Sequence, residues 1–224
     1  MSLNIAIDGP AGAGKSTIAK AVARELGCTY VDTGAMYRAM ALFLIREGVD
    51  LKDGAAIIEK CGGAHITISH QNGAQAVFLN GEDVTAHLRT EEVGNAASVV
   101  SPIVEVRQKL LQLQRRLAAE KDCVMDGRDI GTCVLPDAQV KVYLTASSAV
   151  RAKRRYDELT AKGEAGDLEK IRVDIEERDY RDAHREVSPL RQAEDAVLVD
   201  TSELTIREVT GKILEIVRGK LGER

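Results

Sequence analysis

Residues Gly9, Pro10, Ala11, Gly12, Ala13, Gly14, Lys15 and Ser16 match the spacing G-x-x-x-x-G-K-[ST], and Thr17 follows directly. Glycines at these positions let the backbone curl so that successive N–H groups point inward onto an anion, and a helix N-terminus adds partial positive charge. Lys15 brings a mobile ammonium to β- and γ-phosphates, and the Ser16 hydroxyl suits Mg²⁺ carried with ATP. An ordinary glycine-rich turn is the plain alternative, but this stretch follows an apolar strand and opens an apolar-periodic helix, as a phosphate loop must. A dinucleotide fingerprint does not align, because Ser16-Thr17 stand where its third glycine belongs. No N-K-x-D pattern follows to read guanine.

A second set of charges sits at the ends of two further apolar runs. Asp32 closes one, with Tyr37 and Arg38 a turn into the next helix; Asp126-Gly127-Arg128-Asp129 closes another. Ligands of open α/β sheets bind at that edge. Asp32 or Asp126 taken alone reads equally well as a helix cap or turn carboxylate. Further on, Leu168, Ile171 and Ile175 define an inward helical stripe that Arg178, Asp182 and Arg185 continue, so charge is directed at the interior instead of the opposite, solvated face. Arg181 lies at its margin. Arg151, Arg154 and Arg155 share one helix face just before Lys162 to Asp167, a glycine-bearing turn, and read either as a solvated face or as a lid carrying Arg154 and Arg155 to a transferring phosphoryl group.

The elements that position these groups are legible from periodicity. Strands are expected at NIAID (4–8), CTYVD (28–32), CVMD (123–126), VKVYL (140–144) and AVLVD (196–200), the last three of the continuous apolar kind buried on both faces of a parallel sheet. Helices are expected over about 15–26, 34–47, 55–61, 147–161, 168–186 and 205–220, with another through Ile103, Val106, Leu110, Leu113 and Leu117 whose first turn takes Pro102. Residues 63–90 read as antiparallel hairpins turning at Asn72-Gly73 and Asn80-Gly81. The fold class is α/β, with a parallel core sheet flanked by helices, a small antiparallel insert and a short lid at about 151–168. The whole chain reads as one domain, its acceptor region at about 33–100.

Composition narrows the partners. Lys and Arg total 31 against 35 acids in 224 residues, a net charge of −4, which argues against a polyanion or anionic membrane held by bulk charge. Aromatics are 3% with no Trp, too few for a platform stacking successive bases, so no nucleic-acid polymer is expected. Cysteines at 28, 61, 123 and 133 form no C-x-x-C pair, and His65, His70, His87 and His184 share no ligand spacing, so neither a zinc site nor a disulfide framework is implied. No leader and no roughly 20-residue apolar span is seen. The expectation is a soluble, cytoplasmic monomer, with Arg207, Lys212 and Arg218 on the surface.

Taken together, GPAGAGKST, DTGAMYR, NGEDVT, RTEEVGNAASVVS, DGRDIGT, RAKRR, ERDYRD and AEDAVLVDTS resemble, nearly end to end, the bacterial cytidylate kinases among the P-loop nucleoside monophosphate kinases. The insert is the feature that separates this resemblance from the adenylate, guanylate and thymidylate kinases. The resemblance implies transfer of the ATP γ-phosphoryl to CMP or dCMP with Mg²⁺. By matching position it implies that Thr33, Arg107 and Asp129 hold the cytosine edge, that Arg38, Arg128 and Arg185 clamp the acceptor phosphate, and that Ser98, Arg178 and Asp182 meet the sugar. Gly9 to Thr17 would cradle ATP. Thr33 stands where some members have Ser. Another small-metabolite kinase on this scaffold is the enzymatic alternative, and an ATP-sensing switch the non-enzymatic one; the latter leaves inward Arg178, Asp182 and Arg185 without a purpose.

Overall fold

The structure, a computed structural model, describes residues 2–71 and 74–222. Its strands and helices run β1 (Asn4–Asp8), α1 (Lys15–Leu26), β2 (Thr29–Asp32), α2 (Thr33–Arg46), α3 (Gly54–Cys61), β3 (Ile66–Gln71), β4 (Ala74–Leu79), β5 (Glu82–Asp83), α4 (Glu91–Val100), α5 (Val104–Glu120), β6 (Cys123–Gly127), β7 (Val140–Thr145), α6 (Ser148–Ala161), α7 (Leu168–His184), β8 (Val197–Asp200) and α8 (Ile206–Gly222). Five strands form a parallel sheet in the order β2-β6-β1-β7-β8, and β3-β4-β5 form a separate antiparallel sheet.

Alternation along the central strands explains the layering. Ala6, Cys123 and Met125 pack into a core with α2, α3, α4, α5 and the insert. Ile5, Ile7, Val124, Val140, Val142 and Leu144 face the other way, onto α1 and α8. A strand apolar on both sides needs a helical layer on each, which is why these runs lack a polar face. On α1, Ile18, Ala19, Val22 and Ala23 are the buried stripe, and Gly27 ends the helix in the left-handed conformation with its N–H returned to the Ala23 carbonyl. Parallel pairing also sends the C-terminal ends of β1, β2, β6 and β7 to one rim, where Asp8, Asp32 and Asp126 stand.

Several expectations are corrected. β8 is an edge strand, so AVLVD is not buried on both faces: Leu198 is 54% exposed. Pro102 precedes α5, whose N-cap is Ile103, and is not in its first turn. Leu168, at the start of α7 beyond the reach of the core, is exposed, whereas Ile171 and Ile175 are partly buried. Helix α4 was not anticipated. Its signals are Thr90, which accepts the Val93 N–H, the acids Glu91 and Glu92 in the first turn, and the buried spacing Val93, Ala96, Ala97, Val100. After Asp129 the chain forms a π-helical turn, Ile130–Val134. The turn at Asn80-Gly81 is present, and Asn72-Gly73 lies outside the described residues. Arg207, Lys212 and Arg218 are exposed, as expected. Among the described residues no helix is long and apolar enough to cross a membrane.

Candidate functional site

The donor side is built by main chain. At Gly9, with φ +148°, a Cβ would lie 2.0 Å from the Leu144 carbonyl oxygen, so only glycine lets the chain leave β1 here. Gly14 caps α1 in the left-handed conformation and supplies no side-chain acceptor, leaving the first amides of the helix open to an anion. Lys15 Nζ, buried at the loop, donates to the Pro10 carbonyl at 2.7 Å. Burial and the nearby Arg128 charge push its ammonium down, so the group favours a counter-anion. Ser16 Oγ donates to Asp126 Oδ2 at 2.9 Å, and the Tyr30 hydroxyl donates to Asp126 Oδ1 at 2.9 Å. This hydroxyl and carboxylate are hard oxygen donors of the kind Mg²⁺ takes. Among the described residues no group of three His, Cys, Asp or Glu is placed to hold a metal; Ser16 and Asp126 are the side chains that could hold a cation beside the loop.

The acceptor side is built by side chains from many elements. Asp32 caps α2 by accepting the Ala35 N–H at 2.8 Å, and accepts from Arg38 Nη2 at 3.1 Å. Asp32 is thus the helix cap, as one reading of it had it, and also the partner of Arg38. Thr33 Oγ1 donates to the Asp126 main-chain carbonyl at 2.7 Å, an approach allowed because residue 127 is glycine: a Cβ there would meet Thr33 Oγ1 at 2.8 Å. With its proton committed, Thr33 Oγ1 has only lone pairs to offer a ligand. Arg107, buried on α5, donates to Asp129 Oδ2 and to the Ser101 carbonyl, and lies 5.6 Å from the centre of the Tyr37 ring. Arg128 Nε donates to Asp182 Oδ2 at 2.9 Å. Arg185, extended just past the end of α7, donates through Nε to the Ser188 carbonyl and lies 3.6 Å from Asp129.

These pairs do not exhaust the guanidinium donors. Arg38 Nε and Arg178 Nε are buried with no hydrogen-bond partner, and Arg185 Nη2, also buried, has no hydrogen bond and only its ion-pair contact with Asp129 Oδ1 at 3.6 Å. Orphaned donors of this kind are costly unless a ligand meets them. Burial and the neighbouring Arg128 push the Arg178 guanidinium down to about 10, as expected where cations crowd without enough anions. For Asp182 burial pulls upward, but Arg128, Arg178 and Arg185 outweigh it and hold the carboxyl below its usual range.

One cleft of about 270 Å³ joins the two sides. Its walls include Ala11, Gly12, Lys15 and Ser16 from the phosphate loop and Thr33, Tyr37, Arg38, Ser98, Arg107, Arg128, Asp129, Arg178, Asp182 and Arg185 from the other side. Lys15 and the five arginines exceed the cleft carboxylates Asp32, Asp126, Asp129 and Asp182 by two charges, a net positive field for a phosphate. Gly9, Pro10, Ala13 and Gly14 shape the loop without lining this cleft, and Thr17 is exposed.

The lid arginines part company. Arg151 is a structural staple, donating to the Ala146 and Ala11 carbonyls and pairing with Asp179 at 2.6 Å, so it ties α6 to the phosphate loop and to α7. Arg154 donates to Thr201 Oγ1 and the Thr201 carbonyl, beside the loop. Arg155 is not brought to the cleft: Nη1 pairs with Glu158 at 3.1 Å and the side chain is 41% exposed. Arg181 is exposed.

Sequence reasoning passed over Gly94 and Ala97, small α4 residues that leave room at the acceptor wall, because α4 itself was missed. It also passed over Gln75. The Gln75 Oε1 accepts the Asp32 N–H at 2.9 Å and Nε2 donates to the Asp32 carbonyl at 3.2 Å, so one side chain completes the hydrogen bonding of an edge strand. His70, exposed on β3, sets its Nε2 2.8 Å from the Tyr30 carbonyl oxygen and gives the insert a second tie to β2.

Residues 5–219 match the family model described as Cytidylate kinase. A cytidylate kinase of Lactobacillus johnsonii (strain CNCM I-12250 / La1 / NCC 533) is 50% identical over 218 residues, covering 97% of this chain and 95% of the relative. One from Geobacillus sp. (strain WCH70) is 48% identical over 221 residues, covering 99% of each. Among solved structures, a gluconokinase from Sinorhizobium meliloti 1021 superposes with a TM-score of 0.50 at 15% identity, covering 98% of this chain and 94% of its own. A shikimate kinase from Bacteroides thetaiotaomicron gives 0.50 at 14%, with 96% and 98% covered. At such identities these two speak for the fold alone. The phosphate loop, the arginine-lined pocket opposite it and the antiparallel insert thus come together in a chain whose match to one family runs nearly from end to end, and the chain belongs to the cytidylate kinase family.

Proposed function

We propose that the chain transfers the γ-phosphoryl group of ATP to CMP or dCMP, giving ADP and CDP or dCDP. The observation that carries this reading is the single cleft with main-chain amides and Lys15 at one end and orphaned guanidinium donors at the other. Two phosphates set facing each other across such a cleft are held for in-line transfer, and no general base is required because the attacking group is already an anionic oxygen.

In this reading Gly9 to Thr17 cradle the triphosphate, and Lys15 moves from the Pro10 carbonyl to the transferring group. Arg38, Arg128 and Arg185 hold the acceptor phosphate, each charge-assisted contact contributing about 1.5–3 kcal/mol. Ser98, Arg178 and Asp182 meet the sugar. Ser16, with Asp126 behind it, is the residue that would hold Mg²⁺, whose charge would offset the negative charge on the phosphate oxygens. Arg154, adjacent to the loop, is the lid arginine assigned to the transition state; Arg155 stays outside the set because it faces solvent.

Base choice follows from donor and acceptor counting. Thr33 Oγ1 and the Asp129 carboxylate present lone pairs, which suit the cytosine N4 amine, and Arg107 presents N–H groups to N3 and O2. Uracil would turn O4 toward those lone pairs. A site built on hydrogen bonds rejects an analogue that leaves them unpaired by on the order of 10⁴-fold, less where water enters.

The test is incubation with Mg-ATP and, separately, CMP, dCMP, UMP and AMP, with the products resolved. CDP and dCDP should accumulate with equimolar ADP. ADP formation indifferent to the acceptor, or a product only from AMP, would overturn the assignment.

A further inference from the structure

Asp8 ends β1 one residue before the phosphate loop, yet its side chain serves the opposite side of the cleft. Its Oδ1 accepts the Ile130 N–H at 2.8 Å and its Oδ2 accepts the Gly131 N–H at 2.7 Å. The carboxylate is 5% exposed and is not part of the cleft wall. We infer that Asp8 is a positioning residue for base selection, fixing the main chain that carries Asp129 so that its carboxylate meets the base in one place. The inference rests on the reading of Asp129 given above.

Asp129 immediately precedes the turn that Asp8 grips. Its own carbonyl accepts the N–H groups of Cys133 and Val134, at 2.9 and 3.1 Å, so its backbone is committed to that turn. The side chain, held between Arg107 and Arg185, takes its origin from this backbone. A buried carboxylate is expensive, and burial pushes Asp8 up to about 6 against the pull of its two amide donors. An apolar residue would avoid that cost but strand both N–H groups; an amide could accept only one and would aim its own N–H₂ at the other. Lys141 also packs against the turn: a Cβ on Gly131 would lie 3.1 Å from Lys141 Cδ and 3.4 Å from Asp8 Oδ2. A methyl there would press the Lys141 stem by a few tenths of an ångström while meeting Asp8 at ordinary contact distance.

The test is Asp8→Asn in the full chain, reading kcat/KM for CMP and for UMP, the Kd for ATP without acceptor, and the circular dichroism spectrum. The expected result is at least a tenfold fall in the CMP-to-UMP ratio with the ATP Kd changed less than threefold. An unchanged ratio in a folded variant, or equal weakening of ATP and CMP with the ratio intact, would overturn the inference. Should Asp8→Asn fail to fold, Asp8→Glu decides the matter: it keeps a carboxylate but carries it one methylene further, so that it cannot grip the Ile130 and Gly131 amides in their present place, and a threefold or greater fall in the ratio is expected, whereas no change would overturn the inference. Wild-type chain that shows no preference for CMP would instead remove the reading beneath it and the inference together.

Discussion

The proposed donor-phosphate site, Gly9 to Thr17, is one unbroken stretch of main chain, whereas the proposed acceptor site gathers Arg38 from α2, Ser98 from α4, Arg107 from α5, Arg128 and Asp129 from the end of β6, and Arg178 and Asp182 from α7. The first uses backbone amides that any sequence of suitable flexibility can present, so its information lies in glycine spacing. The second uses the fork geometry of guanidinium groups and the count of lone pairs, so its information lies in residues scattered along more than a hundred positions. A site of the first kind recognises phosphate regardless of what is attached; a site of the second kind can select a base. The contrast also divides the sources of rigidity, since the loop is held by Arg151 and the start of α1 while the acceptor wall depends on ties such as Gln75 to Asp32.

The contrast can be broken first at Lys15. Lys15→Ala should reduce kcat on the order of 10²–10³-fold, the usual consequence of deleting one charge-stabilising donor, while the circular dichroism spectrum stays that of the wild type. Retained turnover would remove the donor-side assignment. On the acceptor side, Arg185→Ala should raise the CMP KM and lower kcat, together lowering kcat/KM roughly ten- to hundredfold, with the ATP KM nearly unchanged in a coupled ADP assay. Equal loss for both substrates would mean that the two sides are not separable.

Gln75→Ala should act more weakly and only on one side. It removes two neutral hydrogen bonds to Asp32, the residue that orients Arg38, so the CMP KM should rise about two- to tenfold while the ATP KM stays put. A rise in the ATP KM instead would contradict the role given to the insert. Smallest of all is Arg155→Ala: a solvent-facing residue paired with Glu158 should change kcat/KM by less than about twofold, whereas a loss comparable with that of Arg185→Ala would bring Arg155 back into the lid assignment.

How much the sequence disclosed follows the same division. The phosphate loop, α1 and the buried strands were legible because their signals are local: glycine spacing, a helical apolar stripe, continuous apolar runs. The inward course of Arg178 and Asp182 was legible from helix period, whereas Arg185, expected on the same helix, lies in extended chain just past its end, and Leu168, expected on the inward stripe, is exposed. What stayed hidden depends on neighbours distant in the chain. The exposure of β8 is set by its place at the sheet edge, which no property of AVLVD reveals. Arg151 and Arg155 look alike in sequence, yet one is buried against the Ala11 carbonyl and the other faces water, a difference set by how α6 lies on the phosphate loop. Helix α4 was readable in Thr90-Glu91-Glu92 and the Val93 to Val100 spacing, but its glycine and alanines weakened the apolar signal. Asp8 looked like the last residue of a strand; its partners at Ile130 and Gly131 lie more than a hundred residues away.

In the proposed reaction a carboxylate and a hydroxyl oxygen, Asp129 and Thr33, read the acceptor base beside an arginine-held phosphate. Initial rates with saturating Mg-ATP and varied CMP or UMP at neutral pH test it most directly. The expected kcat/KM for CMP exceeds that for UMP by orders of magnitude, and equal values for the two would contradict base reading by Asp129 and Thr33.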